Sequence, residues 1–243
     1  MGIYGIDVNP DGPVRYPTGL DDVGTPYNPW AEVPSDLLGG AVLHLGDARV
    51  PTTLPTLTLA TLVGLTVVPV GDAPLEVRAS RGAAHLVIVA ESVAAAGTVT
   101  ATLGLLTGRP RPYVTPAFAA AHPAAHAQLT ADNADLLYRS FPSGHTATAA
   151  ALYFSVASVA GRDRYVLTGS RDVWVAGYVG AGLLTAGTGV FRVVQGVHYP
   201  TDVLVGALHG ASLGVLIPLL HHHGGDGLTV GFTGRGLALS GTW

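Results

Sequence analysis

The chain has 243 residues, a formal net charge of −4 and only 12% charged residues, roughly half the 25% usual in soluble domains. Its mean hydropathy is +0.41. There is no cysteine, which excludes disulfides and thiolate metal sites, and all 12 basic residues are arginines scattered along the chain, with no basic footprint for a nucleic acid.

The length fits one domain of five or six helices. Residues 1–36 are polar, rich in Gly and Pro, and without a secretory-signal pattern. They read as an N-terminal segment ahead of a helical domain over 37–223 and a tail over 224–243. A membrane-spanning helix needs about 20 mostly apolar residues. The run from Leu37 to Gly46 is about half that length; it reads as a full first span, a short or re-entrant helix, or a buried connection. Residues 52–70 qualify as a span with no charge among them. Residues 84–106 qualify apart from Glu91, which must face the bundle interior or a partner. Residues 145–160, 173–190 and 203–220 are nearly free of charge. The predicted fold class is therefore all-α, a membrane helical bundle; a soluble helical core is the alternative, because many of the runs are only moderately hydrophobic.

Arginine placement predicts the topology. Arg78 and Arg81 lie in the loop after the second apolar run, and Arg162, Arg164 and Arg171 in the loop after the fourth. Both loops fall on one side if the spans alternate, and short basic loops prefer the cytoplasm. The segments between the other ends of the spans then share the external, or periplasmic, face.

Those segments hold the chemistry. Arg109 and Arg111 follow the 84–106 run, each before a proline. Proline keeps the preceding residue extended, and guanidinium matches phosphate oxygens bidentately. Read alone, this is a positive loop at a membrane edge. The segment 113–141, with His122, His126, Asp132 and Asp135, is long for a bundle connection and suits a lid or entrance. His122 and His126 are four apart, without a third metal ligand nearby in sequence, and no metal or other cofactor is expected. In Pro142-Ser143-Gly144-His145, Ser143 is a good N-cap and Gly144 lets a ligand approach the backbone. Free N–H groups at the helix start attract an anion, and His145 in the first turn can protonate a leaving oxygen. Read alone, this is a Ser-capped helix with a solvated histidine. Arg192 precedes His198 and Asp202, which are four apart, with Pro200 in the first turn of the next helix. Asp202 can accept the proton-bearing nitrogen of His198 and leave the other nitrogen as a nucleophile; an interfacial pair capping a helix is the plainer reading. His44 and His209 read as bundle-facing or interfacial, and His221 to His223 as a solvated helix end. In the tail, Leu228, Val230 and Phe232 alternate, as do Leu237 and Leu239, which fits either a short C-terminal β-hairpin or a disordered tail.

Together these motifs resemble the signature of the type-2 phosphatidate phosphatase superfamily, which includes the vanadium-dependent haloperoxidases: K-x6-R-P, then P-S-G-H, then S-R-x5-H-x3-D. Pro142 to His145 match the second element in full. Arg192, His198 and Asp202 match the third, with Phe191 in place of its serine, and Arg111 and Pro112 match the end of the first. The resemblance covers roughly residues 84–220. It implies that Arg111 and Arg192 clamp a phosphate with Ser143 and the Gly144 N–H. It further implies that His198 attacks phosphorus, that Asp202 orients it, and that His145 protonates the departing alcohol and later activates water. The family's lysine falls on Gly104, so one cation is missing, and Arg109 is the nearest candidate to replace it. The implied function is an integral-membrane phosphatase acting on a lipid phosphate or diphosphate through a phosphohistidine. The alternatives are a lipid-phosphate-binding protein weakened in turnover by Gly104, and a vanadate-dependent haloperoxidase.

Overall fold

The long apolar stretches fold as helices whose ends are set by residues with strong end preferences. The computed structural model of the chain describes residues 24, 26–31, 34, 38, 42–45, 48–51, 74–222, 229–233 and 236–240. Helix α1 (Leu75–Thr107) stops at Gly108, which takes φ +55° and donates its N–H to the Gly104 carbonyl. That left-handed backbone is free of a Cβ clash only in glycine. Pro110 and Pro112 then hold the chain out of a helix, and Arg111 between them is extended at φ −74°, ψ 154°. Two short helices follow, α2 (Pro116–Ala121) and α3 (Pro123–Asp132), each with a proline in its first turn. Helix α4 (Gly144–Thr168) is capped by Ser143, whose Oγ accepts from the Thr146 N–H. Helices α5 (Asp172–Val194) and α6 (Pro200–His222) complete the bundle.

These helices contain the runs at 84–106, 145–160, 173–190 and 203–220, and the all-α class holds. The run at 52–70 and most of the polar segment 1–36 lie outside the described residues. The Leu37–Gly46 run is corrected in part. Its residues Val42–Leu45 form a strand, β1, paired antiparallel with β2 (Ala48–Pro51), in the register Leu45 opposite Ala48. Leu38, near the start of the run, is helical, and only Val42 onward is strand. Gly46-Asp47 separate the two strands, and a glycine in a two-residue connection favours a hairpin there. In the tail, β3 (Thr229–Thr233) pairs antiparallel with β4 (Gly236–Ser240).

Helix α4 is the hub. It packs against α1, α5 and α6, with a core of Ile88 and Val89 from α1, Leu152, Tyr153 and Val159 from α4, Ala181 from α5 and Ile217 from α6. Its buried face is otherwise small: Ala147, Ala149, Ala150, Ala151, Ser155 and Ser158. Facing it, α6 carries Gly206, Gly210 and Gly214. A Cβ on Gly206 would lie 2.7 Å from the Ser143 carbonyl oxygen, one on Gly214 would lie 2.7 Å from that of Ala151, and one on Gly210 would collide with that of Ala147. This glycine row lets the two backbones touch, the small-residue packing usual between membrane helices.

Stretches of α1, α5 and α6 are long and apolar enough to cross a membrane. At 33 residues, α1 is about 50 Å long and exceeds a hydrocarbon core of about 30 Å. The C-termini of α1 and α5 and the N-termini of α4 and α6 share one end of the bundle. The other end gathers the N-terminus of α1 beside the C-terminus of α4, where His85 Nδ1 lies 3.7 Å from Asp163 Oδ2. Nearby along α1, Glu91 meets the partner that its place in an apolar run required: His221 of α6, at 2.7 Å.

Candidate active site

The site forms where four chain breaks meet. The α1 stop at Gly108, the Ser143 cap, the turn after α5 and the start of α6 all fall at one end of the bundle. The turn after α5 is made by Gly196 at φ +77°; a Cβ there would lie 2.6 Å from the Pro26 carbonyl oxygen and 2.9 Å from the Phe118 ring. Beneath it, Tyr113, Phe118, Ala125 and Val197 form a second small core, with Tyr27 edge-on to Phe118. The loop before Ser143 is tied to α6 directly, since the Ser143 N–H donates to the Asp202 carbonyl at 2.9 Å.

A cavity of about 380 Å³ opens between α1, α4 and the loops. Of the residues singled out from sequence, Arg111, Gly144, His145 and His198 line it, together with Thr100, Leu136 and Arg139. Asp202, Arg109, Ser143 and Arg192 stand behind that wall.

His198 is buried, and its ring is held from behind: Nδ1 lies 2.8 Å from the Ser140 carbonyl oxygen. A carbonyl only accepts, so Nδ1 carries the proton and Nε2 presents its lone pair. On the Nε2 side stands Arg111, whose Nη1 is 3.4 Å away. Arg111 is fixed by donating Nε–H to the Leu136 carbonyl at 3.0 Å and Nη1–H to the Val197 carbonyl at 3.3 Å. Burial holds the His198 pKa well below its ordinary value. The positive charges of Arg111 and Arg192 push the same way, and the hydrogen bond to Ser140 opposes them only in part. His198 is therefore neutral at neutral pH, the form a nucleophile requires.

Asp202 is fully buried and does not take the imidazole proton directly: its Oδ2 is 3.6 Å from His198 Nδ1. Instead Oδ2 accepts from the Ser140 hydroxyl at 2.6 Å and the Tyr199 N–H at 2.9 Å, while Oδ1 accepts from Arg109 Nη1 at 2.6 Å. Ser140 thus stands between the acid and the base, with its hydroxyl on Asp202 and its carbonyl on His198. Arg109 also donates to Thr201 Oγ1 at 2.7 Å and lies 4.3 Å over the Tyr199 ring. Its guanidinium is thereby directed to Asp202. Arg192 is buried and donates Nη1–H to Gln195 Oε1 at 2.9 Å. Ser143 Oγ is hydrogen-bonded to Thr146 Oγ1 at 2.9 Å.

Three further histidines have structural partners. His126 Nδ1 donates to the Tyr113 carbonyl at 2.8 Å, and His122 packs at a tilt against the Tyr27 and Phe118 rings. His209 Nε2 meets Thr100 Oγ1 at 3.1 Å, behind the cavity wall. Ser140 and Arg139 are the residues that sequence reasoning passed over. They are the two residues before Phe141-Pro142, adjoining the P-S-G-H element, and that adjacency was the available signal.

Comparison with known proteins finds a family over most of the helical bundle. The family model of the PAP2 superfamily, the type-2 phosphatidate phosphatases, matches residues 85–225. The chain is 42% identical over 79 residues to a lipid A 1-phosphatase of Porphyromonas gingivalis. That match covers 32% of this chain and 15% of the relative, so it spans only a small part of the relative's length. Among solved structures, a transmembrane PAP2-type phosphatidylglycerolphosphate phosphatase from Bacillus subtilis aligns over 79% of this chain and 75% of its own, at 22% identity and a TM-score of 0.44.

Proposed function

Because the chain belongs to the PAP2 superfamily, we propose that it is an integral-membrane phosphatase that hydrolyses a lipid phosphate or diphosphate through a phosphohistidine intermediate. The observation that carries this reading is the presentation of His198: neutral, proton on Nδ1, and Nε2 facing a cavity beside a buried guanidinium. Apolar helices flank that cavity, which suits a substrate delivered from a bilayer.

In the first step Nε2 of His198 attacks phosphorus, the N–P bond forms and the P–O bond to the lipid alcohol breaks. The departing oxygen takes a proton from His145 in the cavity wall, which enters the step as the imidazolium with its charge balanced by the bound phosphate. As Nε2 becomes bonded, the imidazole becomes cationic, and the Ser140 carbonyl and the buried Asp202 carboxylate behind it stabilise that charge. Arg111 and the Gly144 N–H at the start of α4 meet the phosphoryl oxygens, and Ser143 and the buried charge of Arg192 support them from behind the cavity wall. In the second step His145 takes a proton from water, which attacks phosphorus and releases inorganic phosphate and free His198. The basic residues Arg81, Arg162 and Arg171 lie at or near the other end of the bundle, so the positive-inside rule favours a site on the external, periplasmic face.

The test is phosphate release from a panel of lipid phosphates in detergent micelles, with EDTA, beside His198→Ala. Hydrolysis that survives EDTA and falls by on the order of 10⁴-fold or more in the variant is the expected result. Equal release by both proteins sinks the phosphohistidine mechanism. Binding of a lipid phosphate with no release by the wild type returns the weakened, lipid-phosphate-binding alternative. Sidedness is read separately. The chain has no cysteine, so Ala120→Cys on α2 should react with an impermeant maleimide on intact cells, and Arg171→Cys should not.

A further inference from the structure

We infer that Arg139 is the phosphate-binding cation that takes the place left open at Gly104; the inference rests on the reading of the cavity as a phosphate site. The cavity wall contains two guanidinium residues, Arg111 on one side and Arg139 on the loop that leads into the Ser143 cap. Arg109, the nearer candidate in sequence, is directed to the Asp202 carboxylate behind the wall.

Gly104 connects the two halves of the argument. It lies in α1, on the face toward the loop, and its backbone does not require glycine. A Cβ there would sit 3.6 Å from the Phe141 carbonyl oxygen and 3.9 Å from Arg139 Cβ. Both are ordinary contact distances, so a side chain fits at this position. A side chain leaving residue 104 would start against the stem of Arg139. Gly104 does not itself line the cavity, but a side chain at 104 would leave the helix beside the stem of Arg139, which does. The two positions would therefore reach the same corner, one from the helix and one from the loop. With glycine at 104 that corner is served from the loop alone. A glycine inside a helix costs about 1 kcal/mol relative to alanine, and here it leaves the volume beside the Arg139 stem open.

The guanidinium also changes what the corner can recognise. A lysine offers a point charge, whereas arginine offers a planar fork that takes two oxygens of one phosphate. Arg139 is exposed at the cavity rim while Arg111 is held inside. The two bracket the mouth of the site.

The experiment is a double-mutant cycle on the full-length protein in detergent, reading the affinity for orthovanadate by calorimetry, which needs no turnover. Arg139→Ala should weaken vanadate about 10- to 100-fold, the loss of one hydrogen-bonded charged contact, and Arg139→Lys should fall between. Adding Gly104→Lys to Arg139→Ala should restore most of the affinity, while Gly104→Lys in the wild type should add little. Vanadate binding within twofold of wild type in Arg139→Ala overturns the inference, and so does a failure of Gly104→Lys to rescue in a variant that keeps the wild-type melting temperature. Loss of hydrolysis in His198→Ala reports on the phosphatase reading, whereas these affinities report on Arg139 even if no lipid is turned over.

Discussion

The two ends of the helical bundle use the same ingredients, histidine beside carboxylate and arginine nearby, and only one of them forms a site. At the far end, Glu91 and His221 make a 2.7 Å pair, but the Glu91 side chain is 52% exposed. His85 and Asp163 approach only to 3.7 Å. These pairs join helices. At the near end Asp202 has no exposure and accepts three short hydrogen bonds, from Arg109, Ser140 and Tyr199. Through Ser140 that network continues to His198 and, on the other face of its ring, to Arg111 and the cavity. Chemistry here comes from connectedness and burial: a fixed tautomer on a ring that faces open volume.

The largest effect should come from cutting the network at its centre. Asp202→Ala removes the acceptor of Arg109 and Ser140 together; activity should fall on the order of 10³-fold or more, and stability by about 3 kcal/mol because a buried charge partner is lost. A variant that keeps wild-type turnover contradicts the network account. Next, Gly210→Val should drive α6 away from the Ala147 backbone. The Ser143–Asp202 tie ends the same helix pair, so a small displacement of His198 should cost roughly 10² in kcat, with about 1–3 kcal/mol of stability. An unchanged rate would mean that the close helix contact does not position the site. Ser140→Ala keeps the carbonyl on His198 and loses the hydroxyl on Asp202, so a loss of only about tenfold in kcat is expected.

The pH dependence sharpens the comparison further. With its pKa held below 6.5, His198 stays neutral as pH falls through 6.5, and the acid limb of kcat/KM should lie below that value. Arg111→Gln removes a positive neighbour, which raises the His198 pKa and moves the limb to higher pH. A limb that stays in place would show that burial and Arg192 set it without Arg111. The smallest effect belongs to the far end. Glu91→Gln should leave activity unchanged within twofold and stability within about 0.5 kcal/mol, because the pair is half exposed; a larger loss of activity would mean that the two ends are coupled.

Much of the bundle was legible because hydrophobic length and end signals are local. Ser143 and Pro200 mark helix starts in the sequence as they do in the structure, and the structure adds the stop at Gly108. The Leu37–Gly46 run stays open in sequence because moderately apolar residues fit a short helix and a strand about equally; in the structure Leu38 is helical, and pairing with Ala48–Pro51 makes Val42–Leu45 a strand. The glycines at 206, 210 and 214 recur every fourth residue, yet their meaning depends on the small face of α4 that they meet. In the site, residue types and spacing singled out His145, His198, Asp202, Arg111 and Arg192. The direct His198–Asp202 hydrogen bond suggested by the four-residue spacing is absent in the structure, since the intervening turn sets Oδ2 3.6 Å from Nδ1 and Ser140 fills the gap.

Although α1 starts nine residues earlier and α4 ends eight residues later than the apolar runs, the sequence by itself determined the helical class, the ends of the long helices nearest the site and a set of groups suited to phosphate chemistry. These depend on neighbours along the chain: apolar length, caps, prolines and motif spacing. Only the tertiary structure decided which arginine faces the cavity and which is turned to Asp202, that a serine carbonyl orients the histidine, and that Arg139 stands against the empty place at Gly104. Those outcomes depend on distances between segments far apart in the chain, which residue spacing does not encode and which helix packing alone fixes.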